Sequence, residues 1–285
     1  MDAPDFHLSL EPIGVFFCAQ KFPYEAPRQG NLIDDGKTGV VRLRPGRNFE
    51  QALREIESFT RLWLIYGFDR NRNWKPVVRP PRADAPRVGV FASRSPYRPN
   101  PLGLSCVELL NVSGLELTVR GFDLLDATPI YDIKPYLPYA DSFPEAGGGW
   151  TDRLEKKSRL YTIEIENRAR EKIEWLKQNA GVDLERFLNV QLREHHDDAS
   201  RKRLSRPNPN SRERTLAYRT YRIDLRLPPE FASEARETAD ATDEPILIGD
   251  VRSAYTPAEL ANSATPDRYE DLDIHRRFTR HFVNF

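Results

Sequence analysis

The chain has 285 residues, and its 43 Lys and Arg side chains balance its 43 Asp and Glu side chains, so the formal net charge is zero. This balance argues against a uniformly basic nucleic-acid binder, although it does not exclude local basic patches. No apolar run approaches the roughly 20 residues that span a bilayer, and residues 1–5 lack the features of a signal peptide. With only Cys18 and Cys106, a zinc site built from four cysteines is impossible. We therefore expect a soluble, cytoplasmic protein with no membrane partner.

Short apolar and β-branched runs dominate the first half of the sequence. They predict strands at residues 8–17, 38–43, 61–68, 88–92, 104–110 and 115–122, with a hairpin turn at 111–114. One helix interrupts them, beginning after Asn48, which is a suitable N-cap residue. The apolar residues that keep helical spacing there are Phe49, Ala52, Leu53, Ile56 and Phe59. Many short strands separated by turns favour a barrel or a sandwich.

The composition changes near residues 147–149, where three consecutive glycines predict a linker. Beyond it we predict a strand at 161–166, a helix at 168–178, a second helix capped by Asp183 and ending near Glu194, and one strand at 215–227. Residues 229–244 are expected to be loosely attached, and a last short strand is expected at 245–248. The predicted fold class is α+β, with a mainly antiparallel β-barrel domain at 1–150, a smaller α+β domain at 151–228 and a partly flexible extension at 229–285.

Positive charge is concentrated in two zones. Residues 70–101 contain eight basic residues and one acidic residue, and residues 201–226 contain nine basic and two acidic residues. Two separate basic zones with interleaved aromatic residues are typical of proteins that bind a phosphate backbone. The alternative is a solvated surface with local ion pairs.

The sequence lacks the common nucleotide-binding and metal-binding signatures. No GxGxxG or GxxxxGK[ST] motif is present, so neither a Rossmann-type nor a P-loop site is supported. His195 and His196 are adjacent, but neighbouring residues on a helix point about 100° apart and share one ion poorly. We therefore predict no metal site.

The most informative segment is residues 88–103, VGVFASRSPYRPNPLG. Its prolines restrict the backbone, so the loop presents Arg94, Tyr97, Arg98 and Asn100 with little loss of conformational entropy. Such a loop suits an anionic, aromatic partner. The alternative is a structural turn at a barrel rim.

A second segment, residues 121–141, combines acids, one lysine and tyrosines in a proline-containing loop. Its acids are Asp123, Asp126 and Asp132, and Lys134 lies among Tyr131, Tyr136 and Tyr139. These groups can hydrogen-bond ribose hydroxyls or a purine amine, or they can pair with one another.

Together with residues 26–29 (APRQ), 59–63 (FTRLW) and 74–82 (WKPVVRPPR), these segments resemble the TrmO/TsaA family, also called YaeB-like. Its members are S-adenosylmethionine-dependent tRNA methyltransferases. The resemblance covers roughly residues 8–143, in the same order and with similar spacing. It implies a small β-barrel, a homodimer, S-adenosylmethionine as cofactor, and N6-methylation of N6-threonylcarbamoyladenosine beside the anticodon of a threonine tRNA.

The same resemblance implies a set of cofactor contacts. Pro27, Arg28 and Gln29 match the cofactor-contacting turn, and Arg94 matches the arginine of the RSxxRPNP motif. The adenosyl group is expected at Leu104 and at the four consecutive residues Phe122, Asp123, Leu124 and Leu125. Asp69 and Arg70 stand where members often have His-Gln. Two further departures are Arg61, where many members have His, and Ala127, where many have Gly.

Methyl transfer from a sulfonium is an in-line displacement, so we expect catalysis to need orientation and an acceptor for the N6 proton. The candidate acceptors are Asp126 and Asp132, and Tyr131 or Tyr136 is expected to stack on the base. The residues expected to contact tRNA are Arg98, Asn100, Lys134, Tyr136, Tyr218 and Arg219. The alternative function is a non-catalytic barrel that binds S-adenosylmethionine and RNA.

Overall fold

A computed structural model describes residues 8–27, 30, 36–71, 73–80, 86–152, 160–192, 203–205, 211–229, 244–267 and 269–282. The chain divides into two compact units, one formed by residues up to 80 and from 86 to 148, the other beginning at Gly149. None of the helices in these ranges is long and apolar enough to cross a membrane.

The first unit is a closed antiparallel barrel, which confirms the predicted fold class. Its six strands follow the order β1-β2-β7-β6-β3-β8. They are β1 (Gly14–Phe17), β2 (Thr38–Leu43), β3 (Arg61–Gly67), β6 (Leu102–Ser113), β7 (Glu116–Arg120) and β8 (Thr128–Pro135). A two-stranded ribbon, β4 (Val77–Val78) with β5 (Val88–Gly89), and the short helices α1 (Phe49–Ala52) and α2 (Pro138–Asp141) complete the unit.

Alternating side chains of the strands fill the barrel. Leu62, Leu64 and Tyr66 of β3 point inward, whereas Trp63 and Ile65 between them point outward. The inward residues form one hydrophobic core around Phe16, which lies edge-on against Phe122. A residue's place in the strand alternation therefore decides whether it faces the core or the outer surface.

The predicted helix after Asn48 is wrong in its length. α1 covers four residues, and a 3₁₀ turn at Ile56–Ser58 follows it. Asn48 and Glu55 both have positive φ angles, 58° and 65°, which interrupt the helical path, and Asn48 makes no side-chain cap. Four of the five apolar residues of the predicted helix still pack against the barrel core, because burial needs only that they face it, whereas Ala52 is exposed.

The second unit is a five-stranded sheet with helices. Its strands follow the order β10-β11-β12-β13-β9, antiparallel except for the parallel pair β13 and β9. They are β9 (Ile163–Ile165), β10 (Leu204–Ser205), β11 (Glu213–Tyr218), β12 (Tyr221–Arg226) and β13 (Ile246–Ser253). The helices are α3 (Asn167–Ala180), α4 (Leu184–Leu192), α5 (Pro257–Ala261) and α6 (Leu272–His281).

The single strand predicted at residues 215–227 is instead a hairpin. β11 and β12 pair with Tyr218 opposite Tyr221, and Arg219 adopts φ 49° in the turn. The turn shifts the phase of the alternation: inward residues fall on even numbers up to Tyr218 and on odd numbers from Tyr221. Two polar residues in succession, Arg219 and Thr220, are therefore the mark of the reversal in the sequence.

The segment predicted as an extension contributes a central strand. β13 lies between β12 and β9, and α5 and α6 follow it within the second unit. Asp183 caps α4 as predicted, because its carboxylate accepts the Arg186 N–H at 3.0 Å. Residues 230–243, His195 and His196 lie outside the described residues, and the helix end predicted near Glu194 does too.

Candidate functional site

Three polar side chains form a cluster inside one end of the barrel. Ser105 of β6 donates its hydroxyl hydrogen to the Asp123 carboxylate, and the Tyr66 hydroxyl lies 3.4 Å from the Ser105 oxygen, which is free to accept from the phenol. Ser105 and Tyr66 are 5% and 6% exposed, so this cluster is set into an otherwise apolar interior. Buried polar groups are costly unless they are paired, which marks the cluster as a candidate site.

Two other parts of the chain reach the same cluster. The main-chain N–H of Gly30, which follows the APRQ turn, donates a hydrogen bond to Asp123, and the Arg94 guanidinium acts electrostatically on both Asp123 and Tyr66. A Cβ at residue 30 would overlap the carbonyl oxygen of Gly121, so only glycine permits this close approach. Segments far apart in sequence thus converge on one carboxylate.

The environment of Asp123 favours a positively charged or hydrogen-bond-donating ligand. Burial raises the pKa of its carboxyl group, while hydrogen bonds from Ser105 and from main-chain N–H groups, together with the charge of Arg94, act in the opposite direction. Burial and the nearby Asp123 charge raise the pKa of the Tyr66 phenol well above its usual range. The phenol therefore stays protonated near neutral pH.

The remaining predicted cofactor residues differ in how far their side chains are exposed to solvent. Phe122 and Leu124 are buried in the barrel core, so a ligand can touch only their main chain. Leu104 points outward and is 54% exposed, which suits contact with a flat apolar group. Pro27 and Leu125 are half-buried. Arg28 and Gln29 lie outside the described residues.

Arg70 is occupied by main-chain contacts. Its guanidinium donates to the carbonyl oxygens of Lys21 and Asp126, the latter at 2.6 Å, whereas Asp69 is exposed in the same turn. The Asp126 carboxylate accepts the Cys18 N–H at 3.0 Å, and its own N–H donates to the Gln20 carbonyl. Arg70 and Asp126 thus hold the segment after β1 against the segment before β8.

Asp132 lies on the outer face of the barrel. In the strand register it is opposite Ile65, and Ile65 is opposite Leu104. Neighbouring strands are about 4.8 Å apart, so Asp132 and Leu104 occupy one row separated by a single strand. Lys134, on the same face, pairs with Asp132 at 3.0 Å.

Aromatic side chains adjoin this row. Tyr136 lies beside Trp63 with 5.7 Å between the ring centroids, and the Trp63 indole donates to Asp141 at 3.0 Å. Tyr131 sits at an irregularity in the pairing of β3 with β8, where its ring packs over Gly67. The predicted residues Asp132, Lys134, Tyr136 and Leu104 therefore share one surface.

Arg98, predicted from the sequence to contact tRNA, stabilises the proline-rich loop. Arg98 donates to the carbonyl oxygens of Val90 and Ser93, at 3.2 and 2.9 Å, and lies near the Phe91 ring. Asn100 is exposed, and its carbonyl accepts the Leu102 N–H. Arg98 therefore shapes the loop that presents Arg94.

The structure places Tyr218 away from solvent. It is 5% exposed and packs on Phe187 of α4, because its position in β11 faces the helices. The guanidinium of Arg219, in the following turn, lies 5.2 Å from the Tyr218 ring centroid. Of these two predicted tRNA contacts, only Arg219 is partly exposed to solvent.

Sequence reasoning missed Ser105, Tyr66 and Trp63. Ser105 stood at an inward position of an alternating strand, where a polar residue needs a partner, and this signal could have identified it. Tyr66 looked like part of a continuous apolar run. Among the described residues, no group of three or more His, Cys, Asp or Glu side chains is placed to hold a metal ion.

Comparison with known proteins identifies the family to which this chain is similar. Residues 17–142 match the family described as the tRNA-methyltransferase O N-terminal domain. A tRNA (adenine(37)-N6)-methyltransferase from Escherichia coli K12 is 38% identical over 166 residues, which cover 55% of this chain and 70% of that protein. A probable S-adenosyl-L-methionine-binding protein from Archaeoglobus fulgidus is 40% identical over 153 residues, covering 54% of this chain and 40% of that one.

The fold comparison extends over both units. The crystal structure of TrmO from Pseudomonas aeruginosa matches with a TM-score of 0.57 and 25% identity, covering 87% of this chain and all of that one. Since the Escherichia coli relative exceeds 30% identity over more than two thirds of its length, the chain belongs to the TrmO family of tRNA methyltransferases.

Proposed function

We propose that this chain transfers a methyl group from S-adenosylmethionine to N6 of adenosine 37 in tRNA, the position named for its Escherichia coli relative. The acceptor we propose is N6-threonylcarbamoyladenosine in a threonine tRNA. The observation that carries the proposal is the convergence of Gly30, Arg94 and Asp123 on one buried cluster.

The residues of this cluster fit the cofactor. S-adenosylmethionine carries an anionic carboxylate, two cationic groups, ribose hydroxyls and a flat base. The Arg94 guanidinium suits the carboxylate, and Asp123 suits a hydroxyl or cationic group. Exposed Leu104 suits the base. When bound, the cofactor supplies an electrophilic methyl group, so no covalent protein intermediate is required.

We propose Asp132, rather than Asp126, as the acceptor of the N6 proton. Both carboxylates accept a main-chain N–H, from Cys18 at Asp126 and from Ile133 at Asp132, so the choice rests on position. Asp126 lies in the loop before β8, where it holds the segment that follows β1. Asp132 is half-exposed on the face that carries Leu104, the residue proposed to contact the cofactor, and it pairs with Lys134 at 3.0 Å. Tyr136 and Tyr131 border the same region and are proposed to stack on the base.

The proposed reaction is tested with purified protein, methyl-labelled S-adenosylmethionine and bulk tRNA, followed by nucleoside analysis. Two tRNA pools are compared, one from cells that make the threonylcarbamoyl modification and one from cells that lack it. We expect label only in the first pool, in N6-methylated threonylcarbamoyladenosine. Label in another nucleoside would contradict the proposed acceptor.

The same assay addresses the non-catalytic alternative. Binding of S-adenosylmethionine is measured in parallel by calorimetry. Cofactor binding without transfer to either pool would overturn the proposed reaction and favour a binding protein. Fractionation of the labelled pool then identifies the isoacceptor, and label absent from threonine tRNA would refute that part of the proposal.

A further inference from the structure

The sheet of the second unit has one face that none of the described helices covers. Tyr218 and Tyr221 face Phe187 of α4 and Phe278 of α6, so the residues that alternate with them lie on the opposite face. On that face Ala217 and Arg222 are half-buried and Arg252 is exposed. This open face is rich in arginine.

Arg203, Arg222 and Arg252 occupy a single row across the sheet. Arg222 of β12 is directly opposite Arg252 of β13 and, on its other side, opposite Ala217 of β11. The N–H of Ala217 donates to the carbonyl of Arg203 at 2.9 Å, one residue before β10. Neighbouring strands are spaced by about 4.8 Å. The row therefore runs across β13, β12 and β11 to Arg203, just before β10, and the small Ala217 side chain lies between Arg203 and Arg222.

The row carries more positive than negative charge. Arg252 pairs with Asp224 at 2.9 Å, whereas Arg222 donates to the carbonyl of Tyr221 and, among the described residues, has no carboxylate partner. Burial and the charges of Arg252 and Arg203 lower the pKa of Arg222, while Tyr269 acts in the opposite direction. Like charges directly opposite each other across two strands destabilise a sheet, which an anionic ligand would relieve.

At the opposite end of the same face, an arginine is paired with a carboxylate. Arg226 of β12 pairs with Glu213 of β11 at 2.8 Å, so its charge is compensated within the protein. The excess positive charge is therefore local to the row. Planar guanidinium groups suit phosphate oxygens, which accept two hydrogen bonds from one arginine.

We propose that Arg203, Arg222 and Arg252 form a phosphate-binding row that holds the backbone of the tRNA substrate, an inference that rests on the proposed function. Guanidinium groups set side by side across a sheet can contact successive phosphates of one RNA strand. The row is distinct from the tRNA contacts predicted at Tyr218 and Arg219. Strand register aligns the arginines of the row, whereas Arg219 lies in the β11–β12 turn.

The first test compares full-length wild type with the double variant Arg222→Gln/Arg252→Gln and with the control Arg226→Gln. Binding of bulk tRNA is measured at several salt concentrations. We expect the double variant to bind about tenfold more weakly, and its log–log salt slope to fall by roughly 0.7–0.9 per lost phosphate contact. Arg226→Gln should match wild type. Unchanged affinity and slope in the double variant would overturn the inference.

A second variant, Ala217→Glu, separates ligand binding from folding. A carboxylate between Arg203 and Arg222 should pair with them, so we expect a higher melting temperature together with weaker tRNA binding. Higher stability with unchanged tRNA affinity would contradict the proposed row. Displacement of tRNA by polyglutamate at equal charge concentration would also contradict it, because that result would indicate a site for acidic peptides.

Failure of the inference is distinguishable from failure of the proposed function. In the methylation assay we expect the double variant to raise the KM for tRNA and to leave kcat at saturating tRNA unchanged. If wild type methylates tRNA but the double variant binds it normally, only the row is refuted. If wild type transfers no methyl group, the proposed reaction fails, and the salt series still decides whether the row binds RNA.

Discussion

Asp123 is proposed to bind the cofactor, and the burial of its ionised carboxylate lowers the stability of the fold. Its carboxyl group hydrogen-bonds Ser105 inside an apolar barrel, and burial raises its pKa. For an acid with a raised pKa in the folded state, stability is highest while the group is protonated and falls as the pH rises through that pKa. Proteins commonly tolerate such costs at functional sites.

We therefore expect Asp123→Asn to alter stability and binding in opposite directions. The asparagine cannot ionise, so the free energy of unfolding should exceed that of wild type near neutral pH, and the difference should shrink towards about pH 3. Affinity for S-adenosylmethionine should fall. Denaturation at several pH values and calorimetry measure the two effects. Lower stability than wild type at neutral pH would refute the proposed cost.

Substitutions of the two candidate proton acceptors are expected to have different effects on activity and stability. Asp132→Asn should lower kcat by about 10²–10⁴-fold, since a general base contributes that much, with cofactor affinity and melting temperature unchanged. Asp126→Asn should mainly lower the free energy of unfolding, by about 1 kcal/mol, because it weakens the hydrogen bond to the Cys18 N–H. Single-turnover kinetics and denaturant titration distinguish them. A loss of kcat confined to Asp126→Asn would reverse the assignment.

At the scale of elements, strand alternation and the β6–β7 hairpin were predictable, whereas the reversal between β11 and β12 was missed. The runs at residues 38–43 and 61–68 match β2 and β3 closely, because inward apolar residues must alternate in a barrel wall. The β11–β12 hairpin was missed, since Arg219 enters the left-handed region without glycine. Asn48 and Glu55 interrupt the predicted helix in the same way.

Ala127 is a fourth non-glycine residue with a positive φ angle, and it stands where many family members have Gly. Its φ is 63°, and its N–H donates to the Phe16 carbonyl at 2.9 Å in the loop before β8. We expect Ala127→Gly to raise the free energy of unfolding by roughly 0.5–1 kcal/mol, since the relieved strain exceeds the added chain entropy.

The matched control for this change is Ala258→Gly in exposed α5, where the backbone is helical. There the same substitution should destabilise by about 0.5–1 kcal/mol. Urea titrations of both variants give the comparison. The same sign of change at both positions would refute the strain at Ala127.

At the scale of the whole molecule, we propose a homodimer in solution. Tyr139 and Phe143, in and just after α2, are 85% and 71% exposed, and the Trp63–Asp141 hydrogen bond holds α2 beside the outer face of β3. Exposed aromatic groups of this size commonly mark interfaces. Light scattering should give twice the chain mass of 33.0 kDa.

A double variant tests this surface. Tyr139→Glu/Phe143→Glu should yield monomers, while Leu160→Glu, which alters an exposed apolar residue of the second unit, should stay dimeric. A monomeric wild type, or a dimer that survives the double variant, would contradict the proposal.

The sequence by itself determined the barrel class, the family and the loops that carry its motifs, because alternation and motif residues are local properties. The tertiary structure decided which motif residues have side chains available. It buried Phe122, Leu124 and Tyr218 and assigned Arg70 and Arg98 to main-chain carbonyls. It also joined Ser105 to Asp123 and aligned three arginines across four strands. Such contacts depend on strand register, which relates residues far apart in the chain.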